Sequence, residues 1–172
     1  MEFQQLLIGI FERVSQTLEK ALDGLTQDEL NYLPNPDCNS IAWLAWHLTR
    51  VQDSAISNLM GKEQCWIAEK WCSKFSRNPD PNDRGVGHSS EDVSNFKSPD
   101  SKTLLDYYCA VFKHTKEYIS KLSTAELGRE IDNLRFPKVG LYLTAITNDN
   151  LQHVGQIAYL RGMLKGKGWY GA

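Results

Sequence analysis

Four long runs carry apolar residues at helical spacing, and no strand-like alternation of any length separates them. In the first, Phe3, Leu6, Leu7, Ile10, Phe11, Val14, Leu18, Ala21 and Leu22 recur in steps of three and four, the stripe of an amphipathic helix that must bury one face. Gly24 ends it. The second runs from Ile41 to about Met60 after a cap at Asn39 or Ser40, with Gly61 as its stop. The third starts at Pro99 and Asp100 and passes through Leu104, Leu105, Tyr108, Val111, Phe112, Tyr118 and Ile119 to Leu122. The fourth spans about Val139 to Lys165, after which Gly166, Gly168 and Gly171 let the tail leave. The fold class expected is all-α.

A short echo links the two halves. Leu25-Thr-Gln-Asp-Glu-Leu30 and Leu122-Ser-Thr-Ala-Glu-Leu127 share a form, each with a capping-box pattern, at Thr26–Glu29 and Ser123–Glu126. Each follows one long helix and precedes another that bears a histidine. Two such halves pack naturally as a four-helix bundle, and facing helices of a bundle are where metal sites are built. At 172 residues, one domain covering 1–172 is expected.

Composition removes several functions. A net charge of −2 with interspersed signs leaves no basic stripe for nucleic acid. No run is apolar enough for a membrane span, and Met-Glu-Phe-Gln-Gln lacks the basic flank of a signal peptide, so a cytoplasmic protein is expected. Cys38, Cys65, Cys72 and Cys109 form no Cys-x-x-Cys pair and read as reduced thiols, Cys109 in the core and Cys65 and Cys72 beside a cleft. Trp66, Trp71, Trp169 and Tyr170 read as exposed aromatics that a partner could cover.

The chemistry concentrates in Thr147-Asn-Asp-Asn-Leu-Gln-His-Val-Gly-Gln-Ile-Ala-Tyr-Leu-Arg161. Asp149 and His153 are four apart, which stacks them on one helix face, and Gln156 continues the stripe among Leu151, Val154, Ile157 and Leu160. Such groups need a partner, either each other and solvent or a metal ion with a third ligand. His47 sits in the second long helix on a mostly apolar stripe with Trp43, Val51 and Ser54, as a core residue or as that ligand. His114, flanked by Lys113 and Lys116, is expected on an exposed face. Segment 76–98 is too long and turn-rich for a plain connector, so it is a surface loop or a lid, and His88 could enter a pocket beneath it.

His47 followed by Leu48, Thr49, Arg50 and Gln52, together with Asp149-x-x-x-His153-Val-Gly-Gln-Ile-Ala-Tyr-Leu-Arg-Gly162, resembles the DinB/YfiT-like superfamily of metal-binding four-helix bundles. The resemblance spans nearly the whole chain in element order, with a long insertion between the second and third long helices. It implies His47, Asp149 and His153 as ligands of a divalent ion, zinc or nickel. Asp149 departs from the more usual histidine, but related mycothiol-dependent maleylpyruvate isomerases have an acidic residue there, and two imidazoles with one carboxylate make a zinc set. Gln156 and Asp53 are candidates to support these ligands. Three protein ligands leave a position open to water or to a thiol. The resemblance implies a thiol-dependent S-transferase or isomerase acting on a small molecule, with a low-molecular-weight thiol as co-substrate, and a homodimer. A metal-dependent hydrolase and a non-catalytic, stress-related metal-binding protein are the alternatives.

Overall fold

The computed structural model describes residues 2–170, which leaves Gly171 outside the described residues. It contains α1 (Phe3–Leu22), α2 (Gln27–Leu30), α3 (Ile41–Met60), α4 (Cys65–Ala68), α5 (Trp71–Lys74), α6 (Ser90–Asn95), α7 (Ser101–Ser120), α8 (Thr124–Leu127) and α9 (Val139–Lys165). The four long helices form the bundle: α1 and α3 occupy opposite corners, and each packs on both α7 and α9. Among the described residues there is no strand beyond an isolated bridge between Glu130 and Lys138. None of the described helices is long and apolar enough to cross a membrane.

The helix ends follow from local chemistry. Ser40 rather than Asn39 caps α3, accepting from the Trp43 amide at 3.1 Å, and Asp100 caps α7 through the Thr103 amide at 2.6 Å. Gly61 closes α3 with φ 63°, a left-handed turn that favours glycine. The two echoed boxes do form the short helices α2 and α8. At α2 the box is reciprocal between Thr26 and Glu29. At α8 only half of it forms, because the Glu126 carboxylate turns to Arg129 at 2.5 Å instead of reaching back.

The core has two layers along the bundle. One joins the ends of α1 and α9 nearest their C-termini to the starts of α3 and α7, through Leu18, Trp43, Trp46, Tyr107, Tyr108 and Ile157. The other joins Phe11, Ala55, Ile56, Ile119, Leu143 and Ile146 from the opposite ends. Each fully buried side chain of this kind contributes roughly 1.5–3 kcal/mol.

Segment 61–100 adds to the first layer. Trp66, Trp71, Phe75, Val93 and Phe96 are all buried against it, which corrects the expectation that Trp66 and Trp71 are exposed. Cys65 and Cys72 are buried with them rather than set beside a cleft. Cys109 is exposed, not core, because it lies one residue past Tyr108 and so about 100° off the buried stripe of α7.

What ties this segment down is a buried polar centre on α3. Arg50, fully buried, donates from Nε to the Asp83 carbonyl at 2.9 Å, and from Nη2 to the carbonyls of Asp80 and Pro81 at 3.2 Å each. Its Nη1 reaches Gln64 Oε1 at 2.8 Å and Asp53 Oδ2 at 3.5 Å, while the guanidinium lies 4.7 Å over the Trp66 ring. Asp53 accepts from the amides of Cys65 and Trp66 at 2.9 Å each, from the Tyr107 hydroxyl at 2.8 Å and from Ser57 at 3.2 Å. Burial and the Asp53 charge push the Tyr107 pKa well up, so its hydroxyl keeps the proton it donates.

Candidate metal centre

Asp149 and His153 lie one turn apart on α9, and His47 faces them from α3 across the bundle interface. Asp149 Oδ1 stands 3.5 Å from His153 Nε2 and 3.9 Å from His47 Nε2, and the two imidazoles meet edge to face with centroids 4.8 Å apart. One donor atom from each residue falls within 4.8 Å of the others, so the three form a group that could hold a metal ion. Bonds of about 2.0–2.2 Å in a tetrahedral set space nitrogen and oxygen ligands at roughly 3.3–3.6 Å, so small rotations would close this one. Asp149 Oδ2 is buried and has no hydrogen-bond partner. A carboxylate oxygen left bare in this way is costly unless a cation satisfies it.

The protons are placed to favour a cation. His47 Nδ1 is hydrogen-bonded to the Arg84 carbonyl, which can only accept, so Nδ1 carries the hydrogen and Nε2 offers its lone pair toward Asp149. Burial lowers the His47 pKa, outweighing the pull of that carbonyl and of the Asp149 charge, and this keeps the ring neutral. His153 repeats the pattern: Nδ1 donates to Gln156 Oε1 at 2.7 Å, and Nε2 faces Asp149. Burial opposes the charged form of His153, but in that form both ring N–H groups find acceptors, Asp149 and Gln156, and these prevail and raise its pKa. Greater basicity is what an imidazole ligand gains from such a partner.

Segment 76–98 covers this group. Trp43 stacks on the His47 ring at 4.6 Å and 9°, and Gly85 lies over both. At Gly85 φ is 81°, and an added Cβ would stand 2.7 Å from Trp43, 3.0 Å from Trp46 and 3.1 Å from His47 Nδ1. Gly85→Ala is therefore expected to cost about 2–4 kcal/mol, from left-handed strain plus overpacking, and to weaken metal uptake by displacing the Arg84 carbonyl. Urea unfolding beside metal titration of the same variant checks both effects. An unchanged urea midpoint would mean that the cover does not press on His47.

The sequence profile of the DinB superfamily matches residues 10–157. The chain belongs to the DinB superfamily. A crystal structure of a conserved protein from Enterococcus faecalis is similar to it, with 28% identity and a TM-score of 0.87 over 97% of this chain and 99% of that one. No curated protein matches.

Within this DinB-type bundle the other candidate residues separate. Gln156 touches His153 directly. His88 stays beside the group without entering it: Nδ1 accepts from Trp43 Nε1 at 3.2 Å, Nε2 reaches Asp83 Oδ1 at 3.2 Å, and the ring stacks near Trp46. It braces Trp43, which braces His47. Asp53 belongs elsewhere, in the Arg50 centre, where amides and hydroxyls engage both of its oxygens. That placement corrects its assignment as a neighbour of the ligands.

Sequence reasoning missed Arg84, Gly85 and, through them, Arg50. The carbonyl of Arg84 acts through the main chain and carries no side-chain signal. A glycine followed by Val-Gly-His reads as one more turn in a turn-rich segment.

A cleft of about 730 Å³ opens alongside, lined by Leu44 from α3, by Gln152, Gly155, Gln156, Tyr159, Leu160 and Met163 from α9, and by Pro34, Asp37, Cys38 and Asn39 of the α2–α3 loop. Gln156 belongs to both, so the cleft begins where the support of His153 ends. A hollow of similar size near Leu59, Lys62 and Glu126 has no such connection, and we give it no role.

Proposed function

We propose that His47, Asp149 and His153 hold a divalent ion, zinc or nickel, and that the protein is a metal-dependent enzyme joining a low-molecular-weight thiol to a small substrate, or isomerising it with that thiol. The observation that carries the metal is the bare, buried Oδ2 of Asp149 beside an Oδ1 already between the Nε2 atoms of His47 and His153. Bound there, the ion would supply Lewis acidity that lowers the pKa of a thiol or water in its open position.

The chain's own residues do the rest. Arg84 and Gln156 fix which imidazole nitrogen faces the ion. Trp43, Gly85 and segment 76–98 keep water from the His47 side. The cleft offers Leu44, Leu160 and Met163 to the apolar part of a substrate, and Asn39, Gln152 and Gln156 to its polar groups. That mixture suits a polar thiol joined to a partly apolar substrate better than a fully polar ester or phosphate, which favours the transferase over the hydrolase.

The test uses protein saturated with Co²⁺. Glutathione, mycothiol or a similar thiol is expected to change the visible d–d spectrum at sub-millimolar concentration, with no change in His47→Ala. If no thiol perturbs the spectrum while metal binds stoichiometrically, the transferase reading fails and the hydrolase takes its place.

A further inference from the structure

Cys65, Glu69 and His114 form a second convergence of metal-binding groups, sharing no residue with the His47 centre. Cys65 opens α4, Glu69 follows its last residue, and His114 comes from α7. Cys65 Sγ lies 3.5 Å from His114 Nδ1, while the other ring nitrogen, Nε2, lies 3.8 Å from Glu69 Oε1, so only one of these two nitrogens would serve an ion. One donor atom from each residue falls within 4.8 Å of the others. The sulfur–nitrogen distance is that of a thiol–imidazole hydrogen bond, and it already matches the roughly 3.5–3.6 Å that bonds of about 2.3 Å to sulfur and about 2.05 Å to nitrogen would set in a tetrahedral site. His114 was expected to be solvated, yet its ring is half-buried against this group.

A row of thiol, imidazole and carboxylate also resembles a nucleophile with its base and orienting acid. Burial argues against that use. Cys65 is 1% exposed, so a substrate cannot reach it, and burial together with the Asp53 and Glu69 charges pushes its pKa far up. The same two carboxylates that oppose a bare thiolate favour a cation beside it. The donors are also held from behind, as metal ligands are: Glu69 Oε2 accepts from Trp71 Nε1 at 3.0 Å, and the Cys65 amide donates to Asp53 Oδ1 at 2.9 Å.

We propose that Cys65, Glu69 and His114 form a second metal site, selective for thiophilic divalent ions such as Zn²⁺ and Co²⁺ through its one sulfur, one nitrogen and one oxygen donor. Binding exchanges the thiol proton for the ion and releases that proton to solvent, with no change of oxidation state.

The two centres differ in one donor type, and this makes the test specific. Metal-free full-length chain is titrated with Co²⁺ alone and followed in the near ultraviolet, where a thiolate–cobalt bond absorbs and imidazole and carboxylate ligation do not. The expected result is a charge-transfer band that forms in wild type, saturates at one ion per chain in His47→Ala, where the other centre is lost, and vanishes in Cys65→Ser. Because Cys65 is buried, His114→Gln provides a second variant on the half-buried side, and is expected to weaken the band-forming affinity at least about tenfold. The proposal is overturned if no band forms below millimolar Co²⁺, if it survives in Cys65→Ser and so reports another thiol, or if His114→Gln leaves its affinity unchanged. None of these failures bears on His47, Asp149 and His153, which contain no sulfur.

Discussion

Asp53→Ala is expected to lower the unfolding free energy by about 3–5 kcal/mol, the cost of leaving a buried charge without its partner. The variant strands Arg50, which is fully buried, and removes the acceptor of two amides and of the Tyr107 and Ser57 hydroxyls. Each donor orphaned in this way costs about 1–3 kcal/mol before any relaxation. Against a total stability of about 5–15 kcal/mol for a typical domain, this is the largest single-site loss the structure implies. Asp53→Asn retains the shape and one acceptor and should cost less. Urea unfolding of the three proteins, followed by tryptophan fluorescence, gives the ordering. Equal midpoints for wild type and Asp53→Ala would show that the Arg50 centre contributes no stability.

The consequence reaches the candidate metal centre through the backbone. Arg50 grips the carbonyls of Asp80, Pro81 and Asp83, and the next residue, Arg84, supplies the carbonyl that orients His47. His47 and Arg50 are three residues apart on α3, so one helix face holds both the ring and the clamp on the segment that covers it. Asp53 is thus not a neighbour of the ligands but an anchor of their cover.

This arrangement explains what could be read from the sequence. The four long helices were legible because each buries a stripe, and a stripe is written in local spacing: the ends expected for the fourth, Val139 and Lys165, are those of α9. The pairing of Asp149 with His153 was legible for the same reason, being an i,i+4 relation within one helix. His47 joined them only through the resemblance, since no local rule says which face of α3 meets α9. Asp53 was misplaced because its partners, Cys65, Trp66 and Tyr107, arrive from later in the chain. His114 was misread from its neighbours Lys113 and Lys116. Three of its four helix-face neighbours, Ala110, Val111 and Tyr118, point inward with apolar character, and only Glu117 is charged. Trp66 and Trp71 looked exposed because α4 and α5 are too short to show a stripe of their own, and only the bundle wall behind them makes them core.

Asp149→Ala separates stability from function most sharply. If the carboxylate were a structural partner of His47 and His153, removing it would destabilise the fold. If it is a metal ligand, metal-free protein should lose little or even gain stability, because a buried oxygen with no hydrogen-bond partner disappears with it. Metal affinity should fall by more than the roughly 10–100-fold that the loss of a supporting partner causes, with Gln156→Ala inside that range. The decisive measurement pairs metal analysis after dialysis with urea unfolding of the metal-free forms, for wild type, Asp149→Ala, His153→Ala and His47→Ala. His47→Ala is the variant expected to lose stability as well, since its ring fills the space between Trp43 and Gly85. Metal content unchanged from wild type in all three ligand variants would remove the centre. A metal-free Asp149→Ala protein markedly less stable than metal-free wild type would return these residues to the role of an ordinary buried polar cluster. The opposite pattern, with metal lost and the fold intact, is what a site kept at some expense to stability produces.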